Sequence, residues 1–157
     1  MWWRRTQSAF KENKGEENKQ AFRRIVGSRQ PTGVLAYSLG KPVGWCAVAP
    51  REVYTRLATS RVLKPVDAEP VWSISCFYVK RECRRARLSI ALLRAAVDYA
   101  RHNGARIVEG YPQDIRQDHD DAFVWTGLFS TFHQAGFKEV ARRSPTRPVM
   151  RKEIRSE

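Results

Sequence analysis

The chain is organised around residues 71–104, which have the pattern of a strand, a short basic turn and a helix. Residues 71–79 are rich in β-branched and aromatic side chains, which is typical of a strand. From Leu88 the apolar residues recur at helical spacing, and Gly104 stands where a helix cap is expected. A strand that runs through so short a turn into a helix predicts a mixed α and β fold.

The turn between this strand and this helix is unusually cationic. The first N–H groups of a helix lack intrahelical acceptors and the helix dipole is positive there, so acidic side chains or bound anions are favoured. One interpretation is a solvated basic turn. The other is that the turn binds a polyanion, most simply a pyrophosphate. The five cations are Lys80, Arg81, Arg84, Arg85 and Arg87.

Length and charge narrow the class of protein. The 157 residues are enough for one domain with a sizeable core and too few for two ordinary ones. The net charge of +13 suits a nucleotide-like cofactor, an acidic substrate or nucleic acid, and does not choose among them. The sequence lacks an apolar run of membrane-spanning length and an export signal. Its three cysteines have no disulfide or metal spacing, which favours a reducing cytoplasm.

The remaining sequence predicts an order of elements α-α-β-β-β-α-β-α-β-β. Helices are expected at 7–13, with Thr6 as its cap, at 16–26 and at 123–135, in addition to the helix after residue 87. Strands are expected at 34–37, 43–49, 106–111, 137–142 and 148–154, in addition to 71–79. A long connection at 50–70, in which 52–58 has helical character, is typical of a functional loop.

The turn sequence RRARLS at 84–89, followed by ALL at 91–93, resembles the GNAT superfamily of N-acetyltransferases. That family carries Arg/Gln-x-x-Gly-x-Gly/Ala at this place. Arg84 matches its first position and Ser89 is small in the last, whereas Arg87 occupies the central glycine. GKPVGWCAVAP at 40–50 and AGF at 135–137 resemble other family segments, so the resemblance covers nearly the whole chain.

The resemblance implies a single domain over 1–157, of class α/β (α+β), with a mixed, mostly antiparallel central sheet flanked by helices. The family's usual first strand is not found here. Either the start is short or an upstream segment is missing from this sequence.

The resemblance also implies an N-acetyltransferase that moves an acetyl group from acetyl-CoA to a primary amine of a small molecule or peptide by direct attack. The acetyl-CoA would lie where strands 72–79 and 107–111 splay apart. Alternative functions are a catalytically inactive binding module and an acetyltransferase that acts on an RNA-bound amine. A homodimer is a possible assembly. The residues expected to bind acetyl-CoA are Phe77, Tyr78, Val79, Arg84, Arg85, Ala86, Arg87, Leu88 and Ser89.

Two side chains near the expected splay are candidates for proton transfer. Glu109 lies inside a strand, where a buried carboxylate can serve as a general base; the alternative is a structural ion pair with an arginine. Tyr111 is the candidate acid, with Tyr78 or water as substitutes. The family often has a tyrosine acid where this chain has Phe132, which cannot donate a proton, and His133 next to it is expected to face elsewhere.

A loop with four aspartates and a histidine remains to be interpreted. Its spacing matches no metal motif, so we predict no metal site. Contact with a cationic amine is the better use, because the loops at 50–70 and 112–124 are expected to cover the acceptor. These residues are Asp114, Asp118, His119, Asp120 and Asp121.

Overall fold

The computed structural model describes residues 1–84, 87–115 and 125–154. A six-stranded sheet has the strand order β1-β2-β3-β4-β6-β5. Only β3 and β4 are parallel among these neighbours. The predicted mixed, mostly antiparallel sheet flanked by helices is confirmed. The strands are β1 (Val34–Ser38), β2 (Lys41–Pro50), β3 (Trp72–Val79), β4 (Ile107–Gly110), β5 (Lys138–Arg142) and β6 (Pro148–Glu153).

The helices follow the predicted order, with one addition. Thr6 caps the first helix by accepting a hydrogen bond from the Ala9 N–H at 3.3 Å. The addition to that order is a four-residue helix inside the 50–70 connection, within the stretch 52–58 for which helical character was predicted. Short 3-10 turns stand at Trp2–Arg4, Arg51–Val53 and Arg81–Cys83. The helices are α1 (Gln7–Glu12), α2 (Glu16–Gly27), α3 (Thr55–Ala58), α4 (Leu88–His102) and α5 (Phe129–Gln134).

The last helix is shorter than predicted, and the expectation of a helix over 123–135 was wrong. Residues 123 and 124 lie outside the described part of the chain. Residues 125–128 are not helical because they pair with the chain after β4: Gln113 donates to the Gly127 carbonyl at 2.8 Å, and Phe129 donates to the Gln113 carbonyl at 2.9 Å. Gly127 has a positive φ of 87°, which breaks helical geometry.

The sheet is covered on both faces. On one face α4 packs over β2 and β3 in a cluster with Cys46, Leu93 and Phe132 at its centre. On the other face a smaller cluster joins Ala49, α3 and Tyr111. Among the described residues, no helix combines the length and apolarity that crossing a membrane requires.

Strands β3 and β4 stay together over only three residue pairs. The parallel ladder runs from Trp72↔Val108 to Ile74↔Gly110 and then ends. β3 continues to Val79 without β4 beside it. A wedge therefore opens along the second half of β3, directly before the start of α4.

Candidate active site

A cavity of about 570 Å³ occupies this wedge and reaches the start of α4. We call it the splay cavity. Its size is in the range of ordinary ligand sites. It contains seven of the nine residues predicted to bind acetyl-CoA, while Arg85 and Ala86 lie outside the described residues. The seven are Phe77, Tyr78, Val79, Arg84, Arg87, Leu88 and Ser89.

Arg87 begins α4 in the conformation that a glycine would adopt easily. Its φ of 55° and ψ of 17° are left-handed, and its carbonyl accepts from the N–H groups of Ile90 at 3.0 Å and Ala91 at 3.2 Å. A left-handed conformation costs a non-glycine residue about 1–2 kcal/mol. The turn thus keeps the backbone geometry of a glycine-containing loop and adds a guanidinium.

The rim of the splay cavity is cationic. Arg84 donates from Nε to the Val79 carbonyl at 3.3 Å, which ties the turn to the end of β3. Within the described residues, Lys80, Arg81 and Arg87 form no ion pair with a carboxylate. The N–H groups of the first turn of α4 also lack intrahelical acceptors. Together these groups can neutralise a bound polyphosphate.

The inner edge of the splay cavity carries backbone donors. The Phe77 N–H donates to the Trp125 carbonyl at 2.6 Å. Val79 is two residues further on and presents the same edge of the strand. An acyl-CoA arm that used the Phe77 N–H would have to replace the Trp125 carbonyl.

Phe132 lies at the back of the wedge and is fully buried. Its ring is wedged between two glycines: a Cβ built on Gly110 would lie 2.1 Å from its Cε1, and one on Gly127 would lie 2.8 Å from its Cε2. Phe77 meets the ring edge-on at a centroid distance of 5.9 Å. The position where the family often has an acidic hydroxyl is therefore apolar and closely packed.

A second cavity, of about 190 Å³, lies beside the first. We call it the aromatic cavity. Trp125 lines both cavities, and the neighbouring strand residues Cys76 and Phe77 line one each. Burial raises the pKa of Tyr54 to about 12 and that of Cys76 to about 11. Both groups are therefore protonated at neutral pH.

Glu109 is buried at the closed end of the wedge, where β3 and β4 still pair. Each of its oxygens accepts from a guanidinium: Arg51 Nη1 reaches Oε1 at 2.8 Å and Arg151 Nε reaches Oε2 at 2.7 Å. Arg151 lies directly opposite Glu109 in the β4–β6 ladder. Arg51 also donates to the carbonyls of Leu57 and Leu63, so the network fastens the 50–70 connection to the sheet.

Tyr111 belongs to the same network. Its hydroxyl donates to Glu109 Oε1 at 2.7 Å and lies 2.7 Å from Ser73 Oγ. Burial, and next the negative charge of Glu109, raise its pKa well above the usual value. Neither Glu109 nor Tyr111 lines the splay cavity or the aromatic cavity. This geometry favours the structural ion pair over the general base, and the catalytic roles of the two residues stay predictions.

The acidic loop is mostly outside the described residues, including Asp118, His119, Asp120 and Asp121. Asp114 is described and pairs with Arg142 at 2.7 Å. In the described ranges no three His, Cys, Asp or Glu side chains are placed to hold one metal ion. His133 stacks on Phe129 at a centroid distance of 6.2 Å.

Comparison with known families identifies the class of protein. The model of the acetyltransferase (GNAT) family matches residues 1–122. The chain therefore belongs to the GNAT acetyltransferase family. No curated protein matches the sequence at a significant level.

Solved structures show the same fold at low sequence identity. A GNAT-family protein from Desulfovibrio desulfuricans has 18% identity and a TM-score of 0.57, over 90% of this chain and 86% of that chain. PaiA N-acetyltransferase from Thermoplasma acidophilum, solved with coenzyme A, has 14% identity and a TM-score of 0.57, over 96% and 80%. Ribosomal-protein-alanine N-acetyltransferase from Brucella melitensis has 16% identity and a TM-score of 0.55, over 88% and 78%.

Two features of the site were missed by sequence reasoning. The partners of Glu109 are 58 and 42 residues away along the chain. A signal for Arg151 was available, because the predicted strands 106–111 and 148–154 carry a carboxylate and arginine and lysine side chains that could pair across a sheet. The aromatic cavity had a weaker signal in Trp2 and Trp3, because two adjacent tryptophans are large apolar side chains that favour a packed environment. Trp3 lies 5.6 Å from Trp125, centroid to centroid.

Proposed function

We propose that this protein is an acetyl-CoA-dependent N-acetyltransferase that acts on a primary amine of a small molecule or peptide. The observation that carries the proposal is the splay cavity, which joins a cationic helix start to the edge of β3 that β4 leaves. Acetyl-CoA has a matching shape, with a pyrophosphate at one end and a hydrogen-bonding arm that leads to the thioester.

The residues divide the task along the cavity. Arg84, Arg87 and the first N–H groups of α4 would hold the pyrophosphate. The β3 edge at Phe77 and Val79 would orient the arm by backbone hydrogen bonds. In the reaction the amine nitrogen bonds to the thioester carbon, the carbon–sulfur bond breaks, and the thiolate takes up a proton. Preorganised backbone N–H groups are suited to the carbonyl oxygen as it becomes negative.

We propose that Glu109 and Tyr111 support this site instead of contacting the acetyl group. Both Glu109 oxygens are engaged by arginines, and the network lies at the closed end of the wedge. Through Arg51 it holds the 50–70 connection in place. A proton acceptor for the amine would then be water or the substrate itself.

Acetyl-CoA binding tests the proposal directly. Calorimetry should show one site, with an affinity that falls as salt increases, because phosphate and arginine charges are screened. A thiol-release assay over a panel of amines then measures transfer. Absence of acetyl-CoA binding would overturn the proposal. Binding without transfer to any amine would instead support the inactive binding module.

The alternative function, transfer to an RNA-bound amine, can be tested with the same protein and RNA as the ligand. The positive net charge is its only support. RNA affinity with a steep salt slope, together with transfer that requires RNA, would favour it. We keep the cytoplasm as the proposed compartment because the three cysteines are free thiols.

A further inference from the structure

The aromatic cavity adjoins the splay cavity through one shared wall. Trp125 lines both, and consecutive residues of β3, Cys76 and Phe77, border one cavity each. A molecule in the aromatic cavity would therefore lie beside the end of the splay cavity where the backbone donor of Phe77 is found. This arrangement places two ligands side by side, with Trp125 lining the site of each.

We propose that the aromatic cavity is the acceptor site and that it selects an aromatic amine that is uncharged at neutral pH, of the aniline type. The inference rests on the proposed acetyltransferase function and narrows its substrate class.

The shape of the cavity suits one flat ring. Its volume is about 190 Å³, and an apolar cavity of about 150 Å³ is known to take up benzene. One ring with a small substituent therefore fills it. Aromatic walls add offset or edge-on contacts with such a ring. The aromatic lining is Trp2, Trp3, Phe22, Trp45, Tyr54 and Trp125.

The charges around the cavity disfavour a cationic guest. Among the described lining residues there is no carboxylate and no imidazole, and the charged side chain is Arg4. An ammonium ion buried without a counter-ion is strongly disfavoured. The net charge of +13 acts in the same direction.

Two of the six aromatic rings that line the cavity already face a cation of the protein itself. The Arg4 guanidinium lies over the Tyr54 ring at 5.2 Å, and the Arg56 guanidinium lies over the Trp2 ring at 3.5 Å. A second cation at these rings would meet a guanidinium at close range. The lining therefore acts as a stacking surface for a neutral ring and not as an ammonium cage.

Proton transfer leads to the same substrate class. An alkyl ammonium must lose a proton before it can attack, but Tyr54 and Cys76 are protonated at neutral pH and Glu109 is held by two arginines. An aromatic amine arrives with its lone pair free, because the ring makes it a weak base. Its nitrogen bonds to the acetyl carbon as the carbon–sulfur bond breaks. The nitrogen then gives up one proton and the thiolate gains one, so no other reactant is needed.

Aniline and benzylamine form a matched pair for the test, because both carry one ring and one amine but only benzylamine is cationic at pH 7. Calorimetry on the whole protein should show aniline binding at least about tenfold more tightly. With acetyl-CoA present, aniline should be the better acceptor by a similar factor. Equal or tighter binding of benzylamine would overturn the inference. This comparison on the unmodified protein requires no variant.

A pair of tryptophan variants tests the location. Trp3→Leu, inside the cavity, should weaken aniline binding. Trp72→Leu is the control: Trp72 packs against Tyr99 on the other face of the sheet and lines neither cavity. An equal effect of both variants, or of neither, would contradict the proposed location.

Failure of the inference is distinguishable from failure of the proposed function. Acetyl-CoA binding, with transfer to benzylamine or to a peptide amine and not to aniline, would overturn the inference alone. Absence of acetyl-CoA binding would overturn the proposed function, while the affinities of aniline and benzylamine would still report whether the cavity selects neutral rings.

Discussion

The first half of β3 pairs with β4 above a buried ion network, whereas its second half leaves β4 and borders a cavity with a cationic rim. In the closed half, both oxygens of Glu109 are matched by arginines that come from distant parts of the chain. In the open half, Lys80, Arg81 and Arg87 have no carboxylate partner among the described residues. One strand thus separates charges that stabilise the fold from charges suited to a ligand.

This contrast explains why a buried carboxylate is a poor guide to the catalytic base here. Glu109 has the position expected for a base. Its negative charge, however, is compensated by two arginines, and β3 and β4 are still paired beside it. The open half offers backbone donors and cations, which suffice for binding a thioester and its pyrophosphate. Chemistry that needs few side chains leaves little trace in the sequence.

The largest effect is expected from Glu109→Gln. The substitution leaves Arg51 without a carboxylate partner and leaves Arg151 with only the exposed Asp67. Breaking a buried ion pair in this way typically costs about 3–5 kcal/mol of unfolding free energy. Urea denaturation should show this loss, while acetyl-CoA affinity of the folded variant changes little. The opposite result would be unchanged stability with turnover lowered about 100-fold or more, as expected on removal of a general base.

Phe132→Tyr tests whether the closely packed wall of the open half can accept an acid. The new hydroxyl would pack against Gly110 or Gly127 without a hydrogen-bond partner. We therefore expect the unfolding free energy to fall by about 1–3 kcal/mol and turnover not to increase. Phe129→Tyr, on a half-buried position of the same helix, is the control and should cost less. A variant of unchanged stability and faster turnover would show that the wall does accommodate the family's hydroxyl.

Arg87→Gly should have opposite effects on stability and binding. Relief of the left-handed conformation should stabilise the ligand-free protein by about 1 kcal/mol. Loss of the guanidinium should weaken acetyl-CoA binding and flatten its salt dependence. Arg87→Ala removes the charge but keeps the strained conformation, and it should weaken binding without stabilising. Tighter binding by the glycine variant would show that the arginine obstructs the turn.

The order of the elements was predictable because each element carries its own pattern. Helix 16–26 was recognised from its apolar face and its end signals, and the 71–79 strand from its β-branched and aromatic composition. The observed α2 and β3 agree with them within one residue at each end. The last helix was predicted too long, because Leu128 fits the apolar face of the predicted helix, whereas Gly127 and Leu128 pair with Gln113 through long-range contacts. Local preference cannot show such pairing.

The parts of the candidate site that are contiguous in sequence were predictable, and the parts that are assembled from distant residues were not. The turn around Arg84 and Arg87 is contiguous, so the sequence displays it. The aromatic cavity collects residues from positions 1 to 125, and its existence depends on how the N-terminal segment packs on the sheet. The engagement of Glu109 by Arg51 depends equally on a connection whose path the sequence does not specify.

The smallest effect is expected at Asp67, where the network of the closed half reaches the surface. Arg151 holds this exposed carboxylate with two hydrogen bonds, at 2.5 and 3.0 Å, and these lower its pKa. Because the pKa is lower in the folded state, the carboxylate contributes stability above the unfolded value of about 3.9, and the contribution is lost as pH falls through the folded pKa.

Asp67→Asn should therefore be slightly less stable than the parent at neutral pH, and the two unfolding free energies should converge in acid. Asp98→Asn, which breaks an exposed pair with Arg101 on α4, controls for loss of a surface charge. A gap between parent and Asp67→Asn that stays constant from about pH 7 to about pH 2 would mean that the ion pair does not carry the difference. In that case the ion network of the closed half would stabilise the fold through Glu109, and the exposed pair of Arg151 with Asp67 would contribute nothing.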